Sequence, residues 1–216
     1  QALVVLVPVL RRPHRVQPLL SSLHANTPEP VRALFIASPD DAEEHAAIKR
    51  CGGEMIVVDG NYAAKINEGV RQTTEPLIFL GADDLAFHPG WLLHATRRLY
   101  RAGVQVVGTN DLCNRRVMRG EHSTHSLVAR SYVHQGTIDD PTRLLHEGYE
   151  HEYVDDEFVG TAKARGLFAS AQDAIVEHLH PQAQKAPMDE LYAQQHARMK
   201  RSVGLYRERR HLWMSA

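Results

Sequence analysis

The chain has 216 residues, of which 43% are hydrophobic, enough to build a core for one large domain or for a domain with a C-terminal extension. Lys and Arg total 25 against 26 Asp and Glu, so a net charge of −1 supplies no global field toward nucleic acid or an anionic membrane, and any polyanion must be met locally. Two cysteines, Cys51 and Cys113, exclude a disulfide framework or zinc cluster and suit a reducing compartment, and no apolar stretch approaches the ~20 residues that span a bilayer.

Ala2 to Pro8 is a continuous, β-branched run, as a central strand buried on both faces requires. Pro13 to Leu23 reads as a helix that ends before the turn Asn26-Thr-Pro-Glu-Pro30. Val31 to Ala37 reads as a second strand. Ser38-Pro-Asp-Asp41 then reads as a helix start, with an N-cap, a proline at the first helical position and acids in the first turn; that helix stops near Gly52. Glu54 to Val58 is a third strand, Tyr62 to Gln72 a helix, Leu77 to Leu80 a strand, Trp91 to Arg101 a helix and Val104 to Gly108 a strand. Beyond residue 110 the alternation loosens, leaving a strand at Ser126 to Ala129, a helix at Asp156 to Ala164 and a strand at Ala174 to Glu177. Alternating strands and helices predict an α/β fold with a mostly parallel sheet flanked by helices.

In such a sheet ligands bind beyond the carboxyl ends of the strands. Arg11 and Arg12 follow the first strand, Asp40 the second, Asn61 the third, and Asp83 and Asp84 the fourth. Two carboxylates beside a core are expensive to desolvate unless something positive neutralises them, and a divalent ion with a phosphorylated ligand does so. A solvated turn is the plainer reading of the same pair. No Gly-x-Gly-x-x-Gly and no phosphate-loop lysine follows the first strand, which speaks against a dinucleotide or ATP domain. Asp155 and Asp156 are either acids enriched at a helix N-terminus or the source of a general base. His178 and His180, two apart in an extended segment, point to one side and can complete a metal sphere, although 14 histidines produce some pairs by chance. Lys65 alone is an ordinary solvated helix residue; beside Asn61 and Asn67 it can reach a diphosphate. Asn110 and Asp111 read as lining for an acceptor, and Glu121 to His125 as a structural loop. The cations Arg198, Lys200, Arg201, Arg207, Arg209 and Arg210, interleaved with Tyr206 and Trp213, read as a helix face docked through Leu205, Leu212 and Trp213. The other reading is a contact for phosphates or single-stranded bases.

Four segments in this order resemble glycosyltransferases of the GT-A fold, in particular the inverting family 2 type and its small phage-like relatives, from Leu3 to about Pro181. They are Pro8-Val-Leu-Arg-Arg12, Asn61-Tyr-Ala-Ala-Lys-Ile-Asn-Glu-Gly69, Phe79-Leu-Gly-Ala-Asp-Asp-Leu85 with Pro89-Gly-Trp-Leu92, and Tyr153 to Gly166. The resemblance implies one domain over residues 1–216, with a nucleotide-sugar half (1–110), an acceptor and catalytic half (111–181) and a C-terminal helical extension (182–216). It implies Mn2+ or Mg2+ on Asp83 and Asp84, with His180 ahead of His178. A UDP- or GDP-sugar would touch Pro8, Leu10, Arg11, Asp40, Asn61, Lys65, Asn67 and Asp83. The base is Asp155 by counting back from Gly166, with Asp156 in reserve. The acceptor would be a hydroxyl of a saccharide, a protein or a modified nucleobase in DNA. The setting would be cytoplasmic, in the host if phage-encoded, with no membrane span. One departure is Gly81, which stands where the family's longer Asp-x-Asp-Asp form has its first carboxylate. A nucleotidyltransferase of related fold is the alternative enzyme, although Pro8 to Arg12 holds no glycine; a non-catalytic sugar- or nucleic-acid-binding module is the alternative outside enzymes.

Overall fold

The computed structural model describes residues 2–28 and 30–214, so Glu29 of the expected turn and the last two residues of the extension lie outside the described residues. Strand β1 (Leu3–Pro8) is buried at all six positions. Its period of two sends Leu3, Val5 and Val7 into one apolar cluster, with α1 (Val16–Asn26), α2 (Ala42–Arg50) and α4 (Trp91–Leu99). Val4 and Leu6 enter a second cluster with α3 (Tyr62–Arg71) and α6 (Val154–Ala164). Two-sided burial is why β1 carries no polar residue.

The other strands are β2 (Val31–Ala37), β3 (Glu54–Val57), β4 (Leu77–Leu80), β5 (Leu85–Phe87), β6 (Val106–Asn110), β7 (Ser126–Ala129) and β8 (Phe168–His178). They form one sheet in the order β3-β2-β1-β4-β7-β6-β8-β5. β1 runs parallel to β2 and β4, β2 to β3, and β6 to β8. β7 is antiparallel to β4 and β6, and β5 to the end of β8. The chain builds outward through β2 and β3, then returns to lay β4 on the other flank of β1. That reversal opens a crevice at the carboxyl ends of β1 and β4, where Arg12 and Asp83 emerge.

Several boundaries differ from the sequence reading. The first helix begins as a 3-10 turn (Pro13–Arg15) and runs to Asn26. The N-cap of α2 is Asp41, not Ser38: its carboxylate accepts from the amides of Glu44 at 3.4 Å and Arg11 at 2.6 Å, while the Ser38 hydroxyl is taken by Lys65. β6 starts two residues later than expected. β8 is 11 residues long instead of four, because it crosses from pairing with β6 to pairing with β5 through an irregularity after Thr109. β5 has no local signal, since three residues are held as a strand only by β8.

Gly81 has a tertiary reason. Its amide donates to the Leu6 carbonyl at 2.9 Å, and a Cβ there would lie 2.9 Å from that same oxygen. The close approach of β4 to β1 therefore removes the carboxylate that the resemblance would place there.

The extension folds as α7 (Glu190–Ala193), α8 (Gln195–Arg209) and α9 (His211–Met214). Tyr206 stacks on Tyr153 at 4.8 Å, and Trp213 covers Gly160, where a Cβ would come within 2.3 Å of the indole. Arg198 pairs with Glu152, Arg201 with Glu150, and Arg209 with Glu157 and Asp139. Half of the basic face is thus spent on fastening the extension to residues 139–157, in line with docking and against a continuous nucleic-acid stripe. Among the described residues no helix is long and apolar enough to cross a membrane.

Candidate active site

Arg12, at the start of the turn after β1, reaches across to the end of β4. Its Nη1 lies 3.3 Å from Asp83 and 3.9 Å from Asp84; Nη1 of Arg15, one turn on, lies 3.9 Å and 3.5 Å from the same two carboxylates. From the far end of β8, His178 donates Nε2–H to Asp84 Oδ2 at 3.1 Å. The extension closes over the top: the Tyr192 hydroxyl donates to Asp84 Oδ2 at 2.7 Å, and Asp189 accepts from Arg12 Nε at 2.8 Å. The Arg12 guanidinium lies 3.9 Å above the Tyr192 ring. His180 stands against both His178 and Tyr192, with ring centres 5.0 and 4.6 Å away.

Burial, and then the adjacent Asp84 charge, push the Asp83 carboxyl up to about 7. Burial acts the same way on Asp84, but His178 and the Tyr192 hydroxyl outweigh it and hold Asp84 ionised, below the ordinary carboxylate range. Burial disfavours charge on His178 too, yet Asp84 raises it. Burial and the neighbouring His178 lower His180 to about 4, leaving a neutral imidazole. Asp84 Oδ1 is buried without a hydrogen-bond partner among the described residues. That orphaned oxygen, Asp83 and the neutral His180 ring are donor types suited to Mn2+ or Mg2+, although their ligand atoms do not lie within 4.8 Å of one another.

Asp155 and Asp156 open α6, preceded by Tyr153 in the left-handed region at φ 70°. A bulky residue held there stores strain, a common mark of functional sites. His122, 2% exposed, meets Asp155 Oδ2 through Nε2 at 3.0 Å, and Arg116 Nη1 meets Asp156 at 2.7 Å. Burial disfavours charge on both members of the first pair, yet their shared hydrogen bond prevails, holding Asp155 below its ordinary range and His122 above its own. Burial and then the Asp155 charge raise Asp156. The ligand atoms of His122, Asp155 and Asp156 gather within 4.8 Å; Asp83, Asp84, His178 and His180 do not gather as tightly. Each group already contains positive partners, His122 and Arg116 in the first and Arg12, Arg15 and His178 in the second.

The two acidic groups share neighbours. Tyr62, whose hydroxyl donates to the Gly81 carbonyl at 3.2 Å, is raised by burial and then by both Asp155 and Asp84. His151 packs edge-on against Tyr62 at 5.4 Å, and burial lowers its imidazole against the opposing pull of Glu152, Asp155 and Asp84.

Other expected residues sit elsewhere. Lys65 is 3% exposed, donating to the Val9 carbonyl and Ser38 Oγ, each at 2.8 Å; it ties β1 to β2. Asn61 caps α3 and donates to the carbonyls of Glu147 and Tyr149, while Asn67 clasps the backbone of Leu145 in both directions. Both amides are thus spent on the 145–149 loop. Pro8 is buried, Leu10 and Asp40 are exposed, and Arg11 is exposed at φ 51° with its amide on Asp41. Asp111 is fully buried and holds the amides of Cys113 and Asn114, both at 2.9 Å.

The sequence reading missed His122, Arg15, Asp189 and Tyr192. It treated Glu121 to His125 as structural, but His122 partners Asp155 and His125 packs edge-on against His178 at 5.3 Å. Arg15 had a signal, three residues after Arg12 in a proline-started turn. Asp189 and Tyr192 had none, because they reach the site from 177 and 108 residues away in the chain.

No family model and no curated protein matches this chain. Solved structures do. It is similar to a mannosyltransferase from Pyrobaculum calidifontis in complex with GDP-Man and Mn2+, at 15% identity and TM-score 0.68 over 96% of this chain; it spans 63% of that one. It is also similar to glucosyl-3-phosphoglycerate synthase from Mycobacterium tuberculosis in complex with Mn2+, UDP and glucosyl-3-phosphoglycerate, at 15% identity and TM-score 0.61, over 93% of this chain and 80% of that one. A further structure of that synthase matches with TM-score 0.61 at 16% identity, over 93% of this chain and 80% of that one. The fold is that of the GT-A glycosyltransferases.

Proposed function

We propose that this chain is a metal-dependent glycosyltransferase that moves a sugar from a nucleoside-diphosphate donor to an acceptor hydroxyl, with inversion. The observation that carries the proposal is the buried Asp83–Asp84 pair at the end of β4, held against Arg12, Arg15 and His178, together with the His122-bound Asp155 that opens α6. Solved neighbours bearing GDP-Man or UDP with Mn2+ support a GDP- or UDP-sugar.

Asp83, Asp84 and His180 would hold Mn2+ or Mg2+, with His178 orienting Asp84. When bound, such an ion stabilises charge on a departing nucleoside diphosphate. Arg12 and Arg15 supply fixed positive charge at the same strand ends and suit a diphosphate. Asp155, kept ionised by His122, accepts the proton of the acceptor hydroxyl as that oxygen attacks the anomeric carbon. Asp156, engaged by Arg116, flanks it. Residues 1–110 form the donor half, 111–181 the acceptor half, and 182–216 a cover over both. The acceptor is a hydroxyl of a saccharide, a protein or a modified nucleobase.

Thermal-shift titration with UDP and GDP, with and without Mn2+, tests the donor site. One nucleotide should raise the melting temperature in a metal-dependent way, and Asp83→Ala with Asp84→Ala should abolish the rise. Asp155→Asn should keep that rise while losing donor turnover. Absence of any nucleotide-dependent shift in the unaltered protein defeats the proposal.

A further inference from the structure

One open concavity of the described residues shares no lining residue with the acidic site. It is a groove of about 390 Å³ between α4 and β8, lined by His94, Arg97, Arg98, Arg101, Gln172 and Asp173. Gln172 lies in the irregular stretch where β8 shifts register against β6 between Ala171 and Ile175, upstream of the strand end that carries His178. His94, Arg97 and Arg98 share one face of α4 at i, i+3 and i+4, and Arg101 follows just beyond its end.

Of these cations Arg98 ties α4 to β8, while Arg97 and Arg101 are exposed. Arg98 donates Nε–H to the Ser170 carbonyl at 2.9 Å, and among the described residues none of the three arginines forms an ion pair with a carboxylate. Cations in the last turn of a helix offset its dipole, but that end carries only about half a negative charge. Asp173 adds one more. Three permanent guanidinium charges exceed both together, on a chain whose net charge is −1. Beside them Leu93 and Tyr100 are 51% and 77% exposed on the outer face of the same segment.

We propose that this groove is a phosphate-binding site, taking a phosphomonoester or diphosphate group through Arg97, Arg98 and Arg101. The guanidinium fork matches the oxygens of a phosphate bidentately, and a groove of this size accepts a small phosphorylated molecule. The same chemistry is offered by a free phosphorylated metabolite and by a phospholipid headgroup, in the second case with Leu93 and Tyr100 meeting the bilayer interface. The site is independent of the proposed transferase activity.

The test is calorimetric titration of the whole protein with inorganic pyrophosphate in EDTA, and flotation with vesicles of phosphatidylcholine containing phosphatidylserine. Each is repeated on Arg97→Gln with Arg101→Gln, both exposed positions, and on Arg207→Gln, an exposed arginine of α8, as a control. Saturable pyrophosphate binding, weakened about tenfold or more by Arg97→Gln with Arg101→Gln and retained by Arg207→Gln, supports a soluble phosphorylated ligand. Vesicle binding with the same variant pattern and no pyrophosphate binding supports the headgroup. Binding of neither probe, or binding that the Arg97 and Arg101 changes leave unaltered, overturns the proposal. UDP or GDP with Mn2+ should stabilise the Arg97 and Arg101 variant as it does the parent, which separates this site from the donor site.

Discussion

Replacing Arg209 with leucine is expected to remove about 3–5 kcal/mol of unfolding free energy, the usual consequence of leaving a buried charge without its partner. The Arg209 side chain is 11% exposed and that of Glu157 only 4%. The guanidinium donates to Glu157 at 2.9 and 2.7 Å. It also pairs with Asp139, but that side chain is 47% exposed and adds at most about 1 kcal/mol. Without Arg209, the Glu157 carboxylate keeps only the Tyr149 hydroxyl at 2.8 Å. For a chain of this size the loss corresponds to a fall in melting temperature of roughly 6–20 °C. Urea unfolding followed by circular dichroism should be measured on the parent, Arg209→Leu, Glu157→Gln and the double variant. The double variant should lose less than Arg209→Leu alone, because a neutral glutamine removes the orphaned charge and still meets Tyr149. A loss below about 1 kcal/mol for Arg209→Leu, or a strictly additive cycle, refutes the buried-pair reasoning.

Gly160→Ala places a methyl group 2.3 Å from the Trp213 indole, so Trp213 must leave its seat. We expect a loss of about 1–3 kcal/mol and a red-shifted tryptophan emission; unchanged fluorescence would contradict this packing. Lys65→Met deprives the Val9 carbonyl and Ser38 hydroxyl of their shared donor. Its cost of about 1–3 kcal/mol should be visible in denaturant melts without any nucleotide, whereas a purely diphosphate-binding lysine would leave the ligand-free protein unaffected. His122→Gln probes the pair with Asp155 by its pH dependence. A raised imidazole stabilises the fold fully below its ordinary value of 6.5 and loses that contribution as pH rises through its folded value; the lowered Asp155 stabilises above 3.8 and loses its share on acidification. The stability gap between parent and variant should therefore be widest near about pH 5 and shrink by about pH 9. A gap that stays constant across that range would rule the pair out.

Periodicity revealed the elements whose environment is uniform. β1 is apolar at every position because both faces are buried, and α3 and α4 show their inner stripes plainly. Local chemistry was less decisive where two residues competed for one role, as Ser38 and Asp41 did for the cap of α2. β5 and most of β8 were invisible, since three residues become a strand only when a distant partner offers its edge. The candidate site divides the same way. Asp83, Asp84, Asp155, His178 and His180 stood out as charged or imidazole groups beside apolar runs. Arg15, His122, Asp189 and Tyr192 looked ordinary in their own segments.

What the sequence determined by itself was the α/β class, the strand ends that carry polar groups, and the acidic residues worth explaining, because side-chain period and desolvation cost are local properties. The tertiary structure decided the partners. Strand order brings Arg12 and Arg15 from the end of β1 against Asp83 and Asp84 at the end of β4. It also lets Tyr192 cross from the extension to Asp84 and places His122 on Asp155. Charge on a buried group depends on what stands within a few ångströms of it, and that distance is set by the fold, not by spacing along the chain.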